Sequence, residues 1–171
     1  ISGGKLQCYK TGGGHRRIKR DEFAKFIEEY NIPVSDKYAN LYKKITILIA
    51  DDDNKFSDKF KKAVEDIEPD WDVHCASDGL ETVLQIGGLK PEAIILDISL
   101  PKYDWIDVCK KLKSGYLGYV PEIIPVAGKS TTKKQTDYFK KNTDGILNKP
   151  VEILELLKVL KQSVRKTVGN G

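Results

Sequence analysis

The 171 residues, 40% hydrophobic and 32% charged, suffice for one domain with an appendage and for a buried core, and exclude a disordered polyelectrolyte. The longest apolar runs, such as Ile45–Ala50, are too short to cross a bilayer. Three widely spaced cysteines and two scattered histidines exclude a disulfide framework and a Cys/His zinc site.

These features lead us to expect a reducing, cytoplasmic setting with no membrane partner and no export. No methionine is present, so Ile1 is not expected to be a native start. The formal net charge of +4 is unevenly placed. Residues 1–44 carry 10 Lys/Arg against 5 Asp/Glu, and the rest carry 19 against 20. An anionic partner such as nucleic acid is expected at the front end.

In chain order, Leu6–Thr11 and His15–Arg20 flank "GGG", which predicts a hairpin whose turn needs positive φ. Its tip would carry Lys10, His15, Arg16, Arg17, Lys19 and Arg20, a set suited to gripping phosphates. A solvated basic tail is the plainer reading of the same charges. Asp21 is expected to cap a short helix with Phe23, Phe26, Ile27 and Tyr30 on one face. Residues 31–43 read as a linker.

From residue 44 onward, strands and helices alternate. Ile45–Ala50 reads as a buried strand. Phe56, Phe60, Ala63, Val64 and Ile67 follow at helical spacing, closed by Pro69. Trp71–Ala76 alternates like a strand, and Ser77–Ile86 reads as a turn and short helix. "PEAIILDISLP" is a strongly buried strand ending at Asp97, and Asp104–Lys113 a helix with Ile106, Cys109 and Leu112 inward. "VPEIIPVAG" is a further buried strand in which Pro125 is awkward. Thr131–Lys141 is expected as a polar helix, "GILNKP" as the last strand, and Val151–Lys166 as a long helix with Leu154, Leu157, Val159 and Leu160 apolar.

Five such units predict an α/β, doubly wound, mainly parallel sheet with helices on both faces. Ligands bind such sheets at the carboxyl ends of strands. Asp51 and Asp52 follow the first strand of this region, Asp97 ends the third, and Lys149 ends the fifth, so all four reach one edge. Converging carboxylates suit a hard cation, and Mg2+ is the one expected, while a lysine there suits an anionic oxygen. A turn or helix cap is the competing explanation, and for Asp53 it is the preferred one. Flavin or nucleotide phosphate fits poorly, because no Gly-rich loop follows the first strand.

"ITILIADDD", "PEAIILDISLPKYD" and "ILNKP" together resemble the receiver domain of two-component response regulators, over residues 45 to about 166. The resemblance implies a flavodoxin-like sheet of order 2-1-3-4-5 within a domain spanning 44–168. It makes Asp97 the acceptor of a phosphoryl group from a sensor histidine kinase, in a signalling domain rather than a metabolic enzyme. It also implies that Asp51, Asp52, Asp97 and the Ser99 backbone carbonyl hold Mg2+, that Lys149 contacts the phosphoryl group, and that a cis bond joins Lys149 to Pro150. The chain departs from the family where a switch Thr or Ser is usual, at Val126, and where an aromatic is usual, at Ile146. Trp105 stands where a glycine is usual. These departures support a second expectation, a receiver-like module that dimerises independently of phosphorylation.

"K-L-x-x-Y-x-T-x-G-G-H-R-R-I" in residues 1–30 resembles the wing of excisionase/MerR-type DNA-binding domains. The helix-turn-helix that precedes the wing in that family would lie before Ile1. A DNA-binding, homodimeric response regulator is the expectation that joins the two resemblances, with DNA contacted incompletely by this chain.

Overall fold

The computed structural model describes residues 8–10, 16–18, 20–33 and 44–169. The chain divides into two units, Ile1–Lys44 and Ile45–Gly171.

In the first unit, β1 (Cys8–Lys10) pairs antiparallel with β2 (Arg16–Ile18), Tyr9 facing Arg17. Two short basic segments around a glycine run thus pair as expected. His15, Lys19, the glycine run and residues 34–43 of the expected linker lie outside the described residues. Helix α1 runs Arg20–Glu29, starting two residues earlier than Asp21 as a cap would allow. Arg20 therefore opens the helix instead of extending the hairpin, and Asp21 lies inside the first turn and not at the cap. The helix stops at Asn31, whose φ of 45° is left-handed, and the Ile32 amide reaches back to the Ile27 carbonyl at 3.0 Å. Phe26 and Tyr30 pack against each other one turn apart, their rings tilted and their centroids 4.7 Å apart.

The second unit is built on β3 (Ile45–Ala50), β4 (Trp71–Ala76), β5 (Ala93–Asp97), β6 (Glu122–Ala127) and β7 (Leu147–Asn148). All neighbouring pairs are parallel, in the order β4-β3-β5-β6-β7. Counted from β3, this is the expected 2-1-3-4-5. Five helices connect and follow the strands: α2 (Asn54–Ile67), α3 (Gly79–Leu89), α4 (Trp105–Lys113), α5 (Lys133–Asn142) and α6 (Ile153–Gly169).

Strand alternation sorts the core into two layers. Ile47 and Ile49 of β3 join Phe60, Val64, Leu156 and Leu160 beneath α2 and α6. Leu48 and Ala50 join Ile86, Trp105, Cys109 and Phe139 beneath α3, α4 and α5. Burying each such Leu, Ile or Phe contributes about 1.5–3 kcal/mol. Lys161 and Glu68 clasp α6 to the end of α2 at 2.6 Å. In α6 the apolar face is Leu156, Leu157, Leu160 and Val164, whereas Leu154 turns out to solvent.

Pro125 is tolerated for a directional reason. The Val126 carbonyl accepts from Ile98 on the β5 side, and the Ala127 carbonyl accepts from Lys149 on the β7 side. Pro125, two residues before Ala127, faces β7, and β7 pairs with β6 only at Leu147 and Asn148. Its missing N–H therefore falls where the ladder has ended.

Candidate functional site: an acidic cleft at the carboxyl edge of the sheet

Asp51 directly follows β3, and its amide continues the pairing with β4 by donating to the Ala76 carbonyl at 3.0 Å. That bond fixes the backbone, and the side chain is directed inward, only 2% exposed. Asp52 is exposed, and Asp53 caps α2 by accepting from the Phe56 amide at 3.1 Å. The three adjacent carboxylates thus have three different environments.

Asp97 closes β5 and is equally buried. Lys149 follows β7 and is anchored by its amide to the Ala127 carbonyl, and the Lys149–Pro150 bond is cis. Its ammonium lies 2.7 Å from Asp51 Oδ1 and 2.6 Å from Asp97 Oδ2. The other oxygen of Asp97, Oδ1, accepts from the Ser99 amide at 2.7 Å and from Ser99 Oγ at 2.5 Å.

Electrostatics follow from this arrangement. Burial pushes the Asp51 carboxyl above its ordinary 3.8, aided by the Asp97 charge, despite the bonds from Lys149 and the Asp53 amide. Burial alone would lower Lys149, but its bonds to Asp51 and Asp97 outweigh this and hold it above 10.5. Lysine therefore stays charged and bridges two carboxylates that would otherwise repel.

One oxygen each from Asp51, Asp52 and Asp97 lie within 4.8 Å of one another. An all-oxygen, three-carboxylate set fits a hard divalent cation that keeps some of its waters. The cleft beside them, about 510 Å³, is lined by polar residues that include Asp52, Asp97, Ser99 and Lys149, together with Phe56 and Val151.

The predicted switch positions are placed less tightly together. Val126 pairs with Asp97 across β5–β6 but is fully buried among the side chains under α2 and α6. Ile146 packs, partly buried, against the layer on the opposite face. Of the residues assigned to DNA contact, Lys10, Arg16 and Arg17 lie on the paired strands of the first unit.

Four residues that the sequence did not single out for these parts also shape the site. Trp105 is fully buried, donates from Nε1 to the Leu100 carbonyl at 2.9 Å and packs on Tyr103, bracing the loop after Asp97. Within that loop Lys102 has φ 75°, a costly conformation for a residue with a Cβ. Gly128 approaches Ser99 so closely that a Cβ would lie 2.5 Å from its Oγ. Gln135 completes a capping box with Thr132 and donates from Nε2 to the Ile98 carbonyl at 2.8 Å. "TKKQ" carries the capping-box signal in plain sequence, whereas the Ile98 contact has no local signal.

Comparison with known proteins decides the family. The model of the "Response regulator receiver domain" matches residues 47–161. The chain belongs to the response regulator receiver domain family. This is a family of signalling domains in two-component systems, whose partners are histidine kinases. Response regulator MprA of Mycobacterium sp. (strain KMS) is 26% identical over 123 residues, 72% of this chain and 52% of that protein. The chain thus spans about half the length of the curated relatives it matches. Among solved structures, the receiver domain of Francisella response regulator 1452 superposes with TM-score 0.60 at 26% identity, over 72% of this chain and 99% of that one. The signal receiver domain of a DNA binding response regulator protein (merR) from Colwellia psychrerythraea 34H superposes at 0.62 with 23% identity, over 71% of this chain and 99% of that one. Among the described residues, no helix is long and apolar enough to cross a membrane.

Proposed function

We propose that this chain is the phosphoacceptor part of a two-component response regulator, with Asp97 taking the phosphoryl group. The observation that carries the reading is Asp97 itself: buried, at the end of the central strand, with Lys149 2.6 Å from one oxygen and a second acid, Asp51, bound to the same lysine. An ionised oxygen of Asp97 attacks phosphorus, and the P–N bond of a kinase phosphohistidine breaks. Its electron pair leaves on the imidazole nitrogen, which takes a proton from solvent, and Asp97 becomes an acyl phosphate.

Asp51, Asp52, Asp97 and the Ser99 carbonyl would hold Mg2+. When bound, the ion supplies charge neutralisation for the phosphoryl oxygens. Lys149, kept charged by its two carboxylates, orients Asp97 and stands ready for an anionic oxygen. Asp51 holds that lysine in place.

We read residues 44–168 as the receiver, 31–43 as a linker, and 1–30 as the wing of an excisionase/MerR-type DNA-binding domain. The wing reading rests on the antiparallel β1–β2 pair with its basic residues, followed by α1. The whole protein would then be a dimeric, DNA-binding regulator acting in the cytoplasm. A phosphorylation-independent interaction module is the second reading, and the fully buried, hydroxyl-free Val126 favours it.

Intact mass after incubation with Mg2+ and a small acyl-phosphate donor separates the two. A gain of roughly 80 Da, one phosphoryl group, in the wild type and not in Asp97→Ala supports the first reading. A wild type that never gains mass, yet remains a stable dimer, refutes it in favour of the second.

A further inference from the structure

Val126 offers no hydroxyl, yet a hydroxyl does stand at the carboxylate of Asp97. It belongs to Ser99, on the loop after β5, and donates to Asp97 Oδ1 at 2.5 Å while the Ser99 amide binds the same oxygen at 2.7 Å. Space for it is kept by the next loop. A Cβ on Gly128 would fall 2.5 Å from Ser99 Oγ and 3.7 Å from Asp97 Oδ1, so a side chain there would displace the hydroxyl.

Ser99 is also one bond away from a relay. The carbonyl of its neighbour Ile98 accepts from Gln135 Nε2 at 2.8 Å, across 37 positions. The Oε1 of the same amide accepts from the Thr132 amide at 2.9 Å and the Thr132 hydroxyl at 2.8 Å. A single side chain thereby joins the residue after the phosphoacceptor to the first turn of α5. The route runs from Asp97 through residues 98 and 99 to the α5 N-terminus and does not use β6.

We propose that Ser99 Oγ is the group that senses phosphorylation of Asp97 in this chain, and that Gln135 passes the change to the start of α5. The inference rests on the reading of Asp97 as phosphoacceptor. An ionised carboxylate oxygen is a strong acceptor, and in an acyl phosphate the negative charge moves to the phosphoryl oxygens. Both Ser99 donors respond to the weakened acceptor: the hydroxyl turns about one single bond and follows the charge, and the amide, which shares a planar peptide unit with the Ile98 carbonyl, shifts with it. Repositioning Ser99 pulls on the Ile98 carbonyl, and the Gln135 amide then strengthens or releases the α5 capping box. A structural role alone would also explain the bonds to Asp97, as a local turn, but would leave α5 indifferent to phosphorylation.

Hydrogen exchange of the full chain, with Mg2+ and a small acyl-phosphate donor, distinguishes these at equal phosphoryl occupancy measured by intact mass. In the wild type, exchange of amides 133–136 changes about fivefold on phosphorylation, the scale of one ordinary hydrogen bond. Ser99→Ala and Gly128→Ala lose that response, Ser99→Thr keeps it, and Gln135→Met loses it although Ser99 and Asp97 are untouched. A response that survives Ser99→Ala or Gln135→Met, or a phosphorylated wild type with no response at α5, overturns this inference alone. A wild type that takes no phosphoryl group overturns the proposed function and this inference together.

Discussion

Lys149 Nζ lies 2.7 Å from Asp51 Oδ1, joining residues 98 positions apart at the carboxyl edge of the sheet. The same ammonium reaches Asp97, so one cation serves two acids that are each 2% exposed. Lys149→Met would leave both acids facing each other with hydrogen bonds from the Asp53 amide and from Ser99 but no cation between them. We expect a loss of about 2–3 kcal/mol in urea unfolding at pH 7, below the range for breaking a fully buried ion pair because Lys149 is 27% exposed. Added Mg2+ should raise the melting temperature of this variant more than that of the wild type. Equal stability of variant and wild type would show that the bridge is not formed in solution.

The sign of the Lys149 shift sets a pH window. Its folded value lies above 10.5, so its contribution is fully present below pH 10.5 and is lost as pH rises through the folded value. For Asp51 the folded value lies above 3.8, so protons compete for its oxygen at a higher pH than for an ordinary carboxylate. Mg2+ affinity, measured by calorimetry, should be level near neutrality. It should weaken by about tenfold per pH unit once pH falls below the Asp51 value, the slope of one competing proton. Affinity that stays level as pH falls below the ordinary carboxylate value of 3.8 would remove Asp51 from the metal site.

The run Asp51-Asp52-Asp53 divides by function. Asp53→Ala should cost about 1 kcal/mol of stability through the lost cap and leave Mg2+ affinity within about twofold. Asp52→Ala should do the reverse, with an unchanged or higher melting temperature and at least tenfold weaker Mg2+ binding, roughly the loss of one carboxylate ligand. The same effect from both substitutions would mean that the caps and ligands are assigned wrongly.

Trp105 is a strut of the site loop. Trp105→Ala should cost about 3–5 kcal/mol, and Trp105→Phe about 1–2, because Phe fills most of the space but leaves the Leu100 carbonyl buried without its donor. Urea unfolding of the two variants checks both values, and near-equal costs would show that the indole hydrogen bond contributes little.

Much of this molecule was legible in its sequence because it depends on local period and strand ends. Alternating apolar runs and amphipathic stretches predict the five parallel strands, and strand ends alone carry Asp51, Asp97 and Lys149 to one edge. Arg20 was misplaced because a strand end and a helix start both tolerate arginine, and one residue decides between them. Leu154 reads as core by composition but lies on the outer side of α6. Ser99 Oγ, Gly128 and Gln135 were beyond reach for another reason. The Ser99–Gly128 approach and the Gln135–Ile98 bond join separate segments, and no periodicity in any one segment reports which segments will meet.

The central claim, that Asp97 carries the phosphoryl group, is tested most directly by locating it. After incubation with Mg2+ and an acyl-phosphate donor, borohydride reduces an aspartyl phosphate to homoserine, which peptide mass spectrometry can place. We predict homoserine at position 97 alone, dependent on Mg2+ and absent without the donor. Homoserine at another aspartate, or none anywhere in a protein that is folded and Mg2+-bound, would contradict the account.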